Sequence, residues 1–248
     1  KQPPRRAHAA LALETAADHP GRAAEEKSTT DLLAFIRLNP VTMSVHLLAS
    51  SVLVLGTSAV ISWTPAYFTR TFALAEGDVA LLIGLIIAVF GPVGALGGGW
   101  LTRYLEEKRG DLSASWLVMA VSAFLTPLFG VLVYTGQPLA VTLAAFVPAS
   151  IFGSLSLGIM HAGLQMIAPS ALRGRLTAIF LFFQTLIGVG LGPFLRGLVT
   201  EHVFGDPSKV GLALISVTMP LSLSAGAALL IFRQACSTSY GRIKAAEA

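Results

Sequence analysis

Six long apolar segments alternate with short polar breaks along most of the chain. A helix needs roughly 20 predominantly apolar residues to cross a bilayer, and each segment reaches that length. Internal prolines do not exclude helices, because neighbouring helices satisfy the freed backbone groups in a membrane. The pattern predicts an all-α polytopic membrane protein with a six-helix transmembrane bundle over residues 41–233. The approximate segments are 41–69, 79–103, 115–135, 138–168, 173–200 and 209–232.

The residues that flank this bundle fall into three parts. Residues 1–30 are rich in Ala, Pro, Glu, Lys and Arg, which is typical of a flexible linker. Over residues 31–40, helix-capping residues precede a short apolar run, so we expect an amphipathic helix at the membrane surface. Residues 234–248 form a tail. Because the first residue is a lysine and the first methionine is Met43, we expect a fragment or one piece of a longer polypeptide.

Composition agrees with a membrane location. Of the 248 residues, 54% are hydrophobic and only 12% are charged, against about 25% charged residues in soluble domains. The basic residues lie between apolar segments and form no common face, so we expect no nucleic-acid partner. The single cysteine, Cys236, excludes a disulfide within the chain and a cysteine-rich metal site.

The distribution of basic residues predicts the orientation of the helices. Fourteen of the 17 Lys and Arg residues fall on one set of loops and ends, and three, namely Arg70, Arg196 and Lys209, fall on the other. Cytoplasmic loops carry the excess of Lys and Arg in membrane proteins. Both termini are therefore expected in the cytoplasm.

Three stretches carry a resemblance to a known family. One stretch lies at the end of the first apolar segment, another lies just before the charged loop that follows the second segment, and the third covers the beginning and middle of the fifth segment. In order and spacing, over about residues 30–233, the chain resembles the C-terminal half (helices seven to twelve) of a major facilitator superfamily transporter, nearest to the bacterial spinster-like branch. The stretches are Trp63-Thr64-Pro65-Ala66-Tyr67-Phe68-Thr69-Arg70; Gly97-Gly98-Gly99-Trp100-Leu101; and Pro169 to Arg175 with Ala178-Ile179-Phe180-Leu181-Phe182 and Gly188 to Pro193.

The resemblance implies two inverted three-helix repeats, with a substrate site near the midplane between this half and a second half. It also implies a location in the bacterial inner membrane and a missing N-terminal six-helix half, in the same polypeptide or in a partner chain. Residues 1–30 would then be the cytoplasmic loop that joins the halves. Arg103 and Tyr104 depart from the family's usual Asp-Arg, which removes the acidic member of an expected ion pair.

Polar side chains inside membrane helices are costly, so they usually face a cavity or a partner. For two residues that could bind substrate, a structural role is an alternative: Tyr67 as an interfacial aromatic anchor, and His161 as a residue that hydrogen-bonds a neighbouring helix. Arg70 is equally expected as an exposed loop residue. The candidate substrate-binding residues are Ser58, Ser62, Tyr67 and Arg70 of the first segment, His161 and Gln165 on one face of the fourth, and Gln184 of the fifth.

Small residues in the second and fifth segments have the spacing of close helix contacts. Gly94 with Gly98, and Gly188 with Gly192, are expected to pack helices together or to slide during a conformational change. Gly99, Arg103 and Pro193 belong to the same motifs. Two further polar residues are expected near the membrane interfaces, namely His46 at the cytoplasmic side and Arg196 at the outer side, where its side chain would snorkel.

The absence of acids from the helix interiors disfavours a carboxylate proton relay within this half and an enzyme built on paired acids. No Gly-rich nucleotide-binding loop is present, so an ion or solute gradient would supply the energy. We expect a secondary active transporter for a small organic solute, and not an enzyme, with neither a cofactor nor a metal. The spinster-like resemblance implies an anionic or lipid-like substrate and leaves room for a coupling ion. The alternatives are a membrane-embedded enzyme and a non-transporting six-helix scaffold or channel.

Overall fold

The computed structural model describes residues 31–247, and the linker expected over residues 1–30 lies outside them. A short helix occupies residues 31–38, within the range expected for a surface helix. Asn39 ends it: its backbone N–H donates to the carbonyl of Phe35 at 3.2 Å, and its side-chain amide donates to the same carbonyl at 3.1 Å. The placement of this helix at a membrane surface stays a prediction. Residues 31–40 form one compact unit, and the chain from Val41 onwards forms a second.

Six helices of the described residues are long and apolar enough to cross a membrane, which confirms the predicted all-α fold. The fifth is composite, because two π-helical stretches, Gln184–Gly190 and Thr200–Phe204, interrupt its α-helical turns. A further helix at Arg233–Glu247, the C-terminal helix, follows the last of them. We call the six helices spans one to six: Pro40–Phe72, Glu76–Arg109, Ala114–Tyr134, Leu139–Met166, Ser170–Phe204 and Val210–Ile231.

Several spans run beyond the predicted apolar segments. Span two continues through its charged last turn to Arg109, where basic residues favour a helix C-terminus. Gly110 then ends the helix in a left-handed conformation, with φ at 63°, and its N–H returns to the carbonyls of the last turn. The hydrophobic pattern detected the part of the helix that suits a bilayer, and the cap defines where the helix itself stops.

Span two packs against span four through two glycines. A Cβ atom at Gly94 would lie 2.1 Å from the carbonyl oxygen of Ile151, and one at Gly98 would lie 2.2 Å from that of Leu155. No side chain fits there without moving a backbone. The two helices therefore touch backbone to backbone, which is the contact that small residues at this spacing permit.

Span five packs against span one in the corresponding way. A Cβ atom at Gly188 would lie 2.6 Å from a side-chain methyl of Val54, and one at Gly192 would lie 2.4 Å from the Ser58 hydroxyl oxygen. The middle helix of each helix triplet thus contacts the first helix of the other triplet. This reciprocal packing agrees with the inverted three-helix repeats.

Candidate functional site

The bundle from Val41 onwards contains a cavity of about 160 Å³. Its walls come mainly from spans one, three, four and six. Most of the lining is aliphatic, but hydroxyl groups interrupt it on every wall. The hydroxyl-bearing lining residues are Thr57, Ser122, Thr126, Tyr134, Ser150, Ser154, Ser156, Thr218 and Ser222.

Some of these hydroxyls form hydrogen bonds to other residues of the bundle. Ser122 donates to the carbonyl of Phe152 at 2.7 Å and lies 3.3 Å from the hydroxyl of Ser156, which ties span three to span four. The hydroxyl of Thr126, in contrast, is buried and has no hydrogen-bond partner among the described residues. Buried polar atoms are normally satisfied, so this hydroxyl is an exception.

Arg196 lies inside the bundle and is not among the residues that line this cavity. Its side chain is 0% exposed. One guanidinium nitrogen, Nη2, donates to the carbonyl of Gly56 at 3.3 Å, and the guanidinium interacts electrostatically with Tyr134. Gly56 and Tyr134 both line the cavity. The expectation that Arg196 snorkels to the outer interface is therefore wrong, since the side chain is buried and turns inward to the carbonyl of Gly56.

The hydroxyl of Tyr134 links span three to span one. It shares a hydrogen bond of 2.6 Å with the hydroxyl of Thr64, and Tyr134 packs edge-on against Tyr67 at a ring-centroid distance of 5.1 Å. Tyr67 is itself buried, at 2% exposure, and its hydroxyl accepts from the backbone N–H of Gly136 at 3.2 Å. Tyr67 is therefore held in the protein core and is not an exposed interfacial anchor.

A second buried polar centre lies at the opposite end of span one, where His46 is 0% exposed. The indole N–H of Trp116 donates to its Nδ1 at 3.0 Å, and its Nε2 donates to the carbonyl of Met160 at 2.8 Å. These two bonds require a neutral ring that is protonated on Nε2. His46 also stacks on Phe180, with centroids 5.1 Å apart. His46 is therefore buried inside the protein and not exposed at the membrane interface, because it joins spans one, three, four and five.

The candidate substrate-binding residues do not converge on the cavity, and none of the seven lines it. Ser58 donates to the carbonyl of Gly188 at 2.8 Å and so joins span one to the π-helical stretch of span five. Gln184 is buried and donates to the sulfur of Met160 at 3.0 Å. Both side chains are engaged between helices.

The remaining candidates are more accessible. Ser62 is exposed and bonds its own helix, through the carbonyl of Ser58 at 2.9 Å. His161 is half-buried, and its Nδ1 lies 3.2 Å from the carbonyl of Leu157 in its own helix. Gln165 and Arg70 are exposed. A substrate role for these residues stays a prediction.

The other members of the small-residue motifs differ in their contacts. Gly99 is exposed, and a Cβ atom there would meet nothing within 4 Å, so the structure gives it no packing contact. Arg103 is exposed and pairs with Glu107 at 3.2 Å, one turn along its own helix. The carbonyl of Pro193 accepts from the indole N–H of Trp63 at 3.1 Å, which adds a polar tie between spans one and five.

The C-terminal helix is fixed to the loop between spans two and three. Arg233 forms an ion pair with Asp111, and its Nε donates to the hydroxyl of Ser113 at 2.6 Å. Partial burial raises the pKa of Asp111, but the hydrogen bonds from Ser113 and the charge of Arg233 outweigh burial and hold that pKa below its usual value. Further along the helix, Ser239 and Thr42 share a hydrogen bond of 2.9 Å. The predicted tail is thus a docked helix.

Cys236 lies on the buried face of this C-terminal helix, at 1% exposure. Burial, and the nearby negative charge of Asp111, raise the pKa of its thiol to about 12. Such a thiol is protonated and inert at neutral pH. Within residues 31–247, no group of three or more His, Cys, Asp or Glu residues is placed to hold a metal ion.

Comparisons with known proteins relate this architecture to transporters. No protein-family model matches the chain. An MFS-type efflux pump of Mycolicibacterium smegmatis (strain ATCC 700084 / mc(2)155) is 26% identical over 164 residues, which are 65% of this chain and 38% of that protein. The chain therefore spans well under half the length of this curated relative.

Two solved structures share the fold. Both are of a bacterial homologue of the human lysosomal transporter Spinster, in inward-facing conformations, and both are 18% identical to this chain. The unoccupied form has a TM-score of 0.54 and covers 85% of this chain, and the occupied form has a TM-score of 0.52 and covers 82%. In each case the match takes up 49% of the other chain.

Proposed function

We propose that this chain, which has the fold of one half of a major facilitator transporter, is the C-terminal half of a secondary active transporter that works by alternating access. Its activity would then depend on a second six-helix half, in the same polypeptide or in a partner chain. The similarity to an efflux pump and to a spinster homologue supports a transporter rather than an enzyme.

The observation that carries the proposal is the reciprocal packing of spans two and five. Each packs one glycine face against the opposite triplet. The two are otherwise the least buried of the six spans: 17% of the most apolar stretch is buried in span two and 22% in span five, compared with 44% in span three. In alternating-access transporters of this architecture, one bundle rocks against the other around a site between them. The uncovered faces of spans two and five suit contact with that second bundle.

The substrate pathway would run along spans one and four, on the side that carries Ser62, His161 and Gln165. Ser62 and His161 form hydrogen bonds within their own helices, and Gln165 is exposed, so their remaining hydrogen-bonding capacity is available to a solute. Arg70 would attract an anionic substrate at the outer mouth. We propose a small organic solute, anionic or lipid-like, with a solute or ion gradient as the source of energy.

The distribution of Lys and Arg supports an orientation with both termini in the cytoplasm, and the similarity to bacterial transporters supports a location in the bacterial inner membrane. Single cysteines introduced at exposed positions test this orientation. In right-side-out vesicles, Asp78→Cys should react with an impermeant maleimide, whereas Lys108→Cys should react only after the membrane is opened. The reverse pattern would contradict the proposed orientation.

A flux assay with the full-length protein in proteoliposomes tests the function. We expect gradient-dependent uptake of at least one compound from a panel of organic anions and lysolipids. The double variant His161→Ala/Gln165→Ala should take up that compound at no more than about one tenth of the wild-type rate, which corresponds to about 1.4 kcal/mol of binding free energy. The matched control is Ser224→Ala, which removes an exposed hydroxyl from span six. If the folded twelve-helix protein moves no substrate of the panel above the rate of protein-free liposomes, the proposal fails.

A further inference from the structure

The cavity formed by spans one, three, four and six has room for one compact group. Its volume is about 160 Å³, and an engineered apolar protein cavity of about 150 Å³ binds benzene. Within residues 31–247, no Lys, Arg, His, Asp or Glu side chain lines it. Because burial of a charge without a partner is strongly unfavourable, the cavity suits an uncharged group.

The hydroxyls of the cavity wall allow that group to carry one polar atom. Thr57 donates to the carbonyl of Leu53 at 3.0 Å, and Thr218 donates to the carbonyl of Leu214, each within its own helix. A hydroxyl has two acceptor lone pairs besides its one donor, so both oxygens keep acceptor capacity. A mostly apolar wall with a few polar groups is typical of small-molecule sites. This wall suits a phenol ring as well as a bare hydrocarbon ring.

One face of span four runs from the cavity to two of the candidate substrate-binding residues. Ser150, Ser154 and Leu157 line the cavity, and His161 and Gln165 continue the same spacing of three or four residues. Residues at this spacing share a helix face. Leu157 is 38% exposed, so the face reaches the surface there, and its carbonyl oxygen lies 3.2 Å from Nδ1 of His161.

Span one also reaches the surface from the cavity. Ile61 lines the cavity and is 58% exposed, and the next residue, Ser62, is another exposed candidate. The exposed lining residues therefore adjoin the side proposed for the substrate pathway. A solute in that pathway has an uncharged cavity next to it.

The spacing along span four sets the length of a molecule that uses both places. An α-helix rises 1.5 Å per residue, so Ser154 and His161 are about 10 Å apart along the helix axis. A ring fills a compact space with few rotatable bonds. A long acyl chain, in contrast, loses freedom at each bond that it immobilises.

We propose that this cavity binds one compact, uncharged ring of the transported solute, of the size of a phenyl or hydroxyphenyl group, while the anionic group of the solute stays in the pathway beside His161. The inference rests on the proposed function, because the transported solute is the molecule that brings the ring. It narrows the substrate class to small aryl-substituted anions and disfavours long single-chain lipids.

Equilibrium dialysis with the purified full-length protein in detergent tests the site without a gradient. The probe is tritiated 6-phenylhexanoate, whose extended chain suits the separation of Ser154 and His161. Dodecanoate, which has the same number of carbon atoms in one straight chain, should compete at least about tenfold more weakly at equal free concentration. 6-(4-Hydroxyphenyl)hexanoate should compete at least as well as the unlabelled probe, because the wall hydroxyls accept its hydrogen bond.

Two variants on span four separate the cavity from the helix surface. Ala149 lines the cavity, so Ala149→Phe places a phenyl group of the protein's own in that space. It should weaken binding of the probe by more than about tenfold, since the apolar burial of the ring is lost. The matched control is Ala144→Phe, at an exposed position of the same helix outside the cavity lining, which should bind the probe like the wild type.

Two results would overturn the inference. One is a wild-type protein that binds 6-phenylhexanoate no better than dodecanoate, or not at all, a comparison that holds even if Ala149→Phe does not fold. The other is a folded Ala149→Phe variant that binds the probe as the wild type does. Binding needs no flux, so the ring site can stand when the flux assay fails. Flux of a panel compound without any preference for the ring would refute the site and leave the proposed transport intact.

Discussion

Gly98→Ala, compared with Gly99→Ala, tests the packing of span two against span four. The two glycines are neighbours in the same helix, so both substitutions gain the same intrinsic helix propensity, about 1 kcal/mol. Only the surroundings differ. A Cβ atom at Gly98 would lie 2.2 Å from the carbonyl oxygen of Leu155 and 2.8 Å from the Cδ1 of Ile159, whereas one at Gly99 would meet nothing within 4 Å.

The size of the effect follows from that clash. A carbon and a carbonyl oxygen in ordinary contact lie about 3.3 Å apart, so the two helices must separate by about 1 Å to accept the methyl group. Overpacking a tight contact costs about 1–3 kcal/mol. We expect the upper part of that range, because the clashing atom belongs to a helix backbone and cannot rotate away. Gly98→Ala should therefore be about 2–3 kcal/mol less stable than Gly99→Ala.

The measurement is unfolding of the purified protein in mixed detergent micelles, followed by tryptophan fluorescence. Gly99→Ala should unfold with the wild type or slightly later, and Gly98→Ala clearly earlier. Equal stability of the two variants would refute the backbone contact between spans two and four. It would also remove the reciprocal packing on which the proposed function rests.

Three further predictions concern polar contacts. Ser58→Ala should lower the free energy of unfolding by about 1 kcal/mol, because it removes a hydrogen bond between helices, while Ser62→Ala, which loses a bond within its own helix, should be nearly neutral in the same unfolding assay. The pKa of Asp111 is lowered in the folded protein, so its ion pair with Arg233 should be intact above about pH 4 and lost as pH falls below that. Protection of the C-terminal helix from hydrogen exchange, relative to the intrinsic rate at each pH, should fall over this range in the wild type and be low throughout in Asp111→Asn. Cys236 should react slowly with maleimide at neutral pH and faster in Asp111→Asn; equal rates would mean that the ion pair does not hold the helix in place.

The sequence was a good guide wherever the information is local. The six spans follow from apolar length, and the glycine contacts at Gly94 and Gly188 follow from their four-residue spacing, since both are properties of one helix. The C-terminal helix was not predicted, because what orders it is a pairing of Asp111 with a residue far along the chain, Arg233. Local composition there indicates only a polar tail.

The buried polar residues escaped prediction for the same reason. Distance along the helix placed Arg196 at an interface, and nothing near it in sequence shows that the carbonyl of Gly56, 140 residues away, accepts a hydrogen bond from it. His46 has its partners on spans three and four, at Trp116 and Met160. The signal that was available is chemical: an arginine within an apolar segment requires a polar partner inside the protein.

The two reciprocal helix contacts differ in a way that bears on motion. The contact of span two is backbone against backbone at Gly94 and Gly98, and its helix is α-helical throughout. In the contact of span five, the atoms nearest to Gly188 and Gly192 are side-chain atoms of Val54 and Ser58, and the backbone carbonyls of span one lie farther away, 2.8 Å or more from a Cβ built on either glycine. This contact also includes the hydroxyl bond from Ser58 to a carbonyl within a π-helical stretch. π-Helical turns are rare and are frequently found at functional sites in helices. If one contact adjusts while the bundle rocks, it should be that of span five, and disulfide cross-links there should slow flux more than cross-links between spans two and four.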